Sequence, residues 1–204
     1  MEIYVIRHGK TFWNDKNLAQ GSVDIELNED GIELARKTGE GLGDIEFDVI
    51  YSSPLKRAYV TAQLIRKDRD IPIIKDERLR EISFGQKEGS YYSVKECNDP
   101  YFNTFFRDPA NFNPTTGETI ESLIKRTGSF IKEIVEPNRE KYKRIMIVGH
   151  GAMNKALMCN FFGHGKEAFW SGGLQHNLAF DIIEADTSGY LLKEKNRTFY
   201  EKKA

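Results

Sequence analysis

Ile3-Tyr4-Val5-Ile6-Arg7-His8-Gly9 is an apolar run that stops abruptly at a cation, an imidazole and a glycine. The same pattern returns near the other end of the chain as Ile147-Val148-Gly149-His150-Gly151. A short run without polar alternation fits a strand buried on both faces, the pattern of a parallel sheet covered by helices. Working outward, further strand candidates are 47 to 51, Ile71 to Ile74, Arg144 to Val148, and a terminal pair at Leu178 to Ile183 and Tyr190 to Lys193, joined near Ser188-Gly189. Helical signals lie between them. Asn28 is a candidate N-cap with Glu29 and Asp30 in the first turn. Pro54 suits a first helical position with Ser53 as its cap. Residues 118 to 135 place Ile120, Leu123, Ile124, Ile131, Ile134 and Val135 at helical spacing, and Ala152 to Phe162 is a further apolar helix. Strands alternating with helices predict an α/β fold, a three-layer sandwich with a mostly parallel central sheet flanked by helices.

The length of 204 residues suits one domain with a substantial core, taken here as 1–204. The stretch from Tyr91 to Phe112 carries seven aromatic rings and no sustained strand pattern. It reads as an insertion or lid, at about 86–116, over the ligand edge of the sheet, its rings serving either as core or as a substrate cage. A formal net charge of −1 supplies no global field for nucleic acid, so anion binding must come from a few local cations. No apolar run approaches membrane length. Cys97 and Cys159 lack metal or redox-motif spacing and are read as free thiols. The start of the chain has no signal-peptide pattern, and the expected location is cytoplasmic.

In parallel α/β sheets ligands bind beyond the carboxyl ends of the strands, which places His8 and His150 on the ligand side. Glycine after each histidine lets the backbone pass close to a ligand and leaves N–H groups free to donate, which brings Gly151 into the phosphate site. Ser52-Ser53-Pro54-Leu55-Lys56-Arg57 is a strand-to-helix junction whose Arg57 opposes the local helix dipole, as a bound anion would require. Arg7 adds a second guanidinium fork suited to phosphate oxygens. Glu81, in Leu79-Arg80-Glu81-Ile82-Ser83-Phe84-Gly85, offers a carboxyl group to protonate a leaving alkoxide and later to take a proton from attacking water. For His8 to attack phosphorus it must be neutral, and Arg7, Arg57 and a protonated His150 would all keep a proton off it. Each residue also has a plainer reading. Asn14 fits a helix cap as well as a phosphate contact, and Thr11 and Gln20-Gly21 fit an ordinary turn as well as a pocket. Asp24, Asn28, His164 and His176 are read as structural, Glu118 as the start of a helix and the Lys195 to Ala204 charge run as a solvated edge.

Taken together, Arg7-His8-Gly9-Lys10-Thr11 with Asn14, Asp24-x-x-Leu27-Asn28-x-x-Gly31, Ser52-Ser53-Pro54-Leu55-x-Arg57-Ala58, Leu79-x-Glu81, Gly117-Glu118-Thr119 and Val148-Gly149-His150-Gly151 resemble the histidine phosphatase superfamily, also called phosphoglycerate mutase-like. The resemblance spans most of the chain in the family's order. It implies a phosphohistidine intermediate on His8, a phosphate pocket of Arg7, Arg57 and His150 with Asn14 as a further contact, Glu81 as proton donor, and no metal or organic cofactor. Glu81-Ile82-Ser83-Phe84-Gly85-x-x-Glu88-Gly89 is similar to the phosphatase branch, with Lys87 where that branch usually has tryptophan. The expectation is a histidine acid-type phosphatase, a metal-independent phosphomonoesterase acting on a small-molecule ester, with neither nucleic acid nor membrane as partner. A homodimer stays open. The rival readings are a cofactor-dependent phosphoglycerate mutase and a non-catalytic phospho-ligand binding module.

Overall fold

A computed structural model describes residues 1–93 and 99–200. Six strands form one sheet: β1 (Glu2–Arg7), β2 (Val49–Ser52), β3 (Ile73–Lys75), β4 (Arg144–Gly149), β5 (Phe180–Asp186) and β6 (Gly189–Arg197), in the spatial order β3-β2-β4-β1-β5-β6. β1, β2, β3 and β4 run parallel, with β1 pairing Glu2 to Arg144 and Arg7 to Gly149. β5 is antiparallel to β1 and β6 antiparallel to β5, the terminal hairpin that the Ser188-Gly189 turn signalled.

The two apolar runs are explained by burial on both faces. Ile3, Val5, Ile145 and Ile147 point into one core; Tyr4, Ile6, Met146 and Val148 point into the other. The second core packs against α2 (Glu29–Gly41) and α3 (Lys56–Arg66). The first packs against α5 (Ile120–Phe130), α6 (Gly151–Phe162) and the aromatic face of α4 (Pro100–Arg107), whose Phe102 and Phe105 are fully covered. This is the expected three-layer α/β sandwich. A one-turn helix, α1 (Phe12–Asp15), follows β1.

Element ends depart from the expectations for local reasons. Asn28 does cap α2, accepting from the Gly31 amide at 2.8 Å. Pro54 does not open α3: that helix starts at Lys56 behind Leu55, and its first amide is capped from afar by Asp24 Oδ1 at 2.7 Å. Ser53 Oγ instead accepts from the Leu55 amide within the turn. The strand expected from Leu178 begins two residues later because buried Leu178 sits at φ +60°, a left-handed conformation costing about 1–2 kcal/mol and incompatible with a ladder. The helix expected from residue 118 is capped by Thr119 and widens into a π-turn over Ile131–Val135. Cys159 is a buried free thiol, pushed up to about 11 by that burial; Cys97 lies outside the described residues. His164 and His176 are exposed. No described helix is long and apolar enough to cross a membrane.

Candidate active site

The carboxyl ends of β1, β2 and β4 meet at a cavity whose wall includes Arg7, His8, Asn14, Arg57, Glu81 and Gly151. His150 stands beside His8, their ring centroids 5.1 Å apart, and both imidazoles are buried. β1 and β4 are hydrogen-bonded neighbours, so two strand ends remote in sequence deliver both histidines to one place.

Backbone geometry sets the chemical state of His8. Its Nδ1 lies 2.6 Å from the Gly9 carbonyl oxygen, which can only accept, so Nδ1 carries the proton. In the neutral ring the lone pair then belongs to Nε2. Burial pushes the His8 pKa well below its ordinary value, and the Arg57 and Arg7 guanidiniums push further, against a smaller pull from the Gly9 carbonyl. His150 is lowered well below its ordinary value too, by burial and then by Arg57 and His8. A protonated His150 is therefore not favoured in the unliganded site; the arginines supply the positive charge. His150 Nε2 is 2.8 Å from Ser53 Oγ, while its buried Nδ1 has no protein partner.

Arg57 is fully buried near the amino end of α3. Its Nη1 donates to the Val23 carbonyl at 2.6 Å and its Nη2 to the Gly21 carbonyl at 2.7 Å. Burial lowers its pKa to about 10, with Glu81 and Asp24 pulling upward, so it is still charged at neutral pH. Arg7 Nη1 donates to the Gln175 carbonyl at 2.8 Å. The Nε atoms of Arg7 and Arg57, like His150 Nδ1, are buried without a protein partner. A buried donor left unpaired costs about 1–3 kcal/mol, and the two arginine Nε–H groups, joined by His150 Nδ1–H when Ser53 Oγ donates to Nε2, suit a multivalent oxyanion.

Glu81 lies where the segment after β3 meets the start of α6. Its Oε1 accepts from the Ile82 and Met153 amides at 3.0 and 2.9 Å, and its Oε2 from the Ala152 amide at 3.1 Å. The carboxylate thus occupies the positive end of α6 and borders the cavity. Asn14 takes part in the helix cap considered for it. Its Oδ1 closes a capping box on the Thr11 amide and hydroxyl, and the residue also lines the cavity. Gly151 lines the cavity, and a β-carbon there would come 2.8 Å from Leu174 Cδ1, 3.6 Å from Glu81 Oε2 and 3.8 Å from Arg7 Nε. Gly9 departs from expectation. Its amide donates to Thr61 Oγ1 at 3.0 Å, and its α-carbon packs on the Gly31 carbonyl, so its small size serves helix packing and leaves no N–H for a ligand.

Several supporting residues escaped the sequence reading. Glu88 Oε1 accepts from the Ser22 amide and hydroxyl, both at 2.8 Å, and from the Phe84 amide at 3.1 Å, tying the loop that holds Arg57 to the segment that carries Glu81. Gly21, whose carbonyl holds Arg57, sits at φ +52° with its α-carbon against the Glu88 carboxylate. Asn177 Nδ2 donates to the His8 carbonyl at 2.8 Å, and Gln175, anchored by Asn154 Nδ2 at 2.6 Å, presents the carbonyl that orients Arg7. Glu118 precedes α5 and pairs with Arg126, whose Nη2 donates to the Glu81 carbonyl at 3.2 Å. Glu88 carried a signal as one position of the Phe84-Gly85-x-x-Glu88-Gly89 run, Gly21 as half of the Gln20-Gly21 turn and Glu118 within Gly117-Glu118-Thr119, whereas Ser22, Gln175 and Asn177 carried none. Among the described residues there is no cluster of three His, Cys, Asp or Glu side chains able to hold a metal ion.

Comparison with known proteins places this geometry in context. Residues 3–198 match the model of the histidine phosphatase superfamily (branch 1). A phosphatase named PhoE from Bacillus subtilis is 35% identical over 167 residues, 81% of this chain and 79% of that protein. Phosphoserine phosphatase 1 of Hydrogenobacter thermophilus is 29% identical over 201 residues, 97% of this chain and 93% of that protein. The structure of YhfR from Bacillus stearothermophilus superposes with a TM-score of 0.87 at 31% identity, covering 98% of this chain and 99% of the other.

Proposed function

Given that the chain belongs to the histidine phosphatase superfamily, we propose that it is a phosphomonoesterase that hydrolyses a small-molecule phosphate ester through a phosphohistidine on His8. The observation that carries this reading is the state of the His8 ring. Nδ1 is tied to the Gly9 carbonyl, the proton is kept off Nε2 by burial and two arginines, Arg7 and Arg57 line the same cavity, and the His150 ring lies beside that of His8.

The steps follow from the geometry. The ester's phosphoryl oxygens take up the free donors of Arg7, Arg57 and His150, with Asn14 and the Gly151 edge at the rim. His8 Nε2 attacks phosphorus in line with the ester oxygen; a P–N bond forms as the P–O bond breaks. Glu81 enters this step in its protonated form and passes that proton to the departing alkoxide; it then takes one from a water whose oxygen attacks the phosphohistidine, so that the P–N bond breaks, His8 and protonated Glu81 are returned and inorganic phosphate leaves. The fixed arginines balance the charge spread over the equatorial oxygens, and this electrostatic preorganisation carries most of the acceleration. In this reading the enzyme is of the histidine acid type, needs no metal, works as one domain, and uses the described part of the segment around 86–116 as the cover of the site, residues 94–98 lying outside the described residues.

The test is the His8→Ala variant assayed by phosphate release from a generic aryl phosphate. Loss of turnover by at least a thousandfold, with a native circular dichroism spectrum, is expected. Undiminished turnover refutes the role of His8. Incubation with a phosphoglycerate and its bisphosphorylated form separates the mutase alternative, because isomer interconversion without phosphate release would mark a mutase.

A further inference from the structure

Beyond the phosphate pole the same cavity changes character. Away from that pole the wall is mostly apolar, with the rings of Phe84, Tyr92, Phe102, Phe105, Phe106 and Trp170 beside Leu18, Ala19 and Leu174, and with Gln20 as an uncharged polar side chain whose Oε1 is buried without a protein partner. These rings support one another. Trp170 lies 5.0 Å from Phe106, which stacks on Tyr92 at 5.5 Å with 19° between planes, and Phe84 meets Phe105 edge-on at 5.2 Å. The Trp170 indole N–H is spent on the Phe105 carbonyl at 2.7 Å, so the ring is fixed and turns no polar atom to a ligand. Phe102 and Phe105 are buried in the core beneath, which makes the wall a rigid extension of that core. Phe102, Phe105 and Phe112 of the aromatic stretch are thus core, and Tyr92 and Phe106 border the cavity.

The charges lie at the other end. Among the described residues the cations on the wall are Arg7 and Arg57, and both are anchored at the phosphate pole, Arg7 by the Gln175 carbonyl and Arg57 by those of Gly21 and Val23. An alcohol portion bearing a carboxylate or an ammonium would leave water to lie against ring faces with no counter-ion, a costly transfer. An apolar portion would gain from the same move.

We infer that the ester taken by this site has an uncharged, ring-bearing or apolar alcohol portion, which lies on Phe84, Tyr92, Phe106 and Trp170 while its phosphate sits at Arg7, His8 and Arg57. The inference rests on the phosphatase reading and narrows it to a substrate class. It sets this chain apart from the phosphoserine that gives one relative its name.

The experiment compares kcat/KM, by phosphate release, for 2-phenylethyl phosphate, ethyl phosphate and O-phosphoserine, three esters of primary alcohols. The phenylethyl ester is expected to exceed ethyl phosphate by roughly 10- to 100-fold, the worth of burying one phenyl ring. O-phosphoserine is expected to be no better than ethyl phosphate. O-phosphoserine matching or exceeding the phenylethyl ester overturns the inference. No release from any of the three strikes the phosphatase reading itself, and the substrate inference falls with it. In Trp170→Ala and in Phe106→Ala the ratio of phenylethyl to ethyl phosphate is expected to drop by about tenfold. That ratio is taken within one preparation, so it is independent of how much of the variant folds, and a ratio unchanged in both variants overturns the inference.

Discussion

Lowering the pH from 7 to 5 is expected to cost the fold about 2 kcal/mol for each of His8 and His150. Both imidazoles are buried and held neutral, His8 by burial and then Arg57 and Arg7, His150 by burial and then Arg57 and His8. In the unfolded chain each takes up a proton at about pH 6.5, whereas in the folded chain each does so only well below that value. Between those limits the unfolded state binds more protons. This stability is therefore fully present above the unfolded value and declines as the pH falls, levelling off only when the folded-state value is reached. The limiting slope is about 1.4 kcal/mol per pH unit per group, and integration from pH 7 to 5 gives about 2 kcal/mol for one group and about 4 for the pair. With an m-value of about 2 kcal/mol/M, the urea midpoint should fall by about 2 M in the wild type. His8→Asn removes one of the two groups and should lose only about half as much. Taking the difference between the two proteins cancels the carboxylates, including Asp76 and Asp99, which arginine and lysine partners hold low, and Asp181, which burial raises. Equal midpoint shifts in the two proteins would refute the claim that His8 is buried as a neutral base.

Two further perturbations probe the frame around the site. Glu88→Ala strands the Ser22 and Phe84 amides and should lower stability in urea by about 3 kcal/mol and raise KM by about tenfold, because Ser22 lies between the two carbonyls that grip Arg57. Glu88→Gln should restore part of both, and a normal KM in Glu88→Ala would show that Arg57 holds its place unaided. Gly31→Ala would place a β-carbon 2.2 Å from the Lys10 carbonyl oxygen, backbone against backbone, so α2 must move off the loop after His8. A loss of about 2–4 kcal/mol in thermal unfolding is expected, and an unchanged melting temperature would rule out that close approach.

The parts of the fold legible in sequence are those whose burial leaves a mark on composition. β1 and β4 could be read because burial on both faces removes the polar alternation, and Asn28 because a cap is a side-chain function. Leu178 misleads because nothing local distinguishes a strand residue from one forced into φ +60° by the bond from its amide to the Arg7 carbonyl. The site divides the same way. His8, His150, Arg7, Arg57 and Glu81 carry their chemistry in their side chains and stand in recognisable runs. The groups that aim them are mainly carbonyls, those of Gly9, Gly21, Val23 and Gln175, and a carbonyl is present at every residue. Trp170 lies far along the chain from the aromatic stretch it completes, so only folding joins them.

The central position of β1 has a consequence for biosynthesis. Its two neighbours in the sheet are β4 and β5, which begin at Arg144 and Phe180. At ribosomal speeds of roughly 5–20 residues per second, the first strand made spends several seconds to half a minute with both of its hydrogen-bonding edges unmet. Throughout that interval Ile3-Tyr4-Val5-Ile6 is a sticky segment awaiting a mate, and the nucleophile that follows it has no pocket to sit in. The nascent protein is thus inert until nearly all of it has emerged, and it is during this wait that holdase chaperones have most to protect.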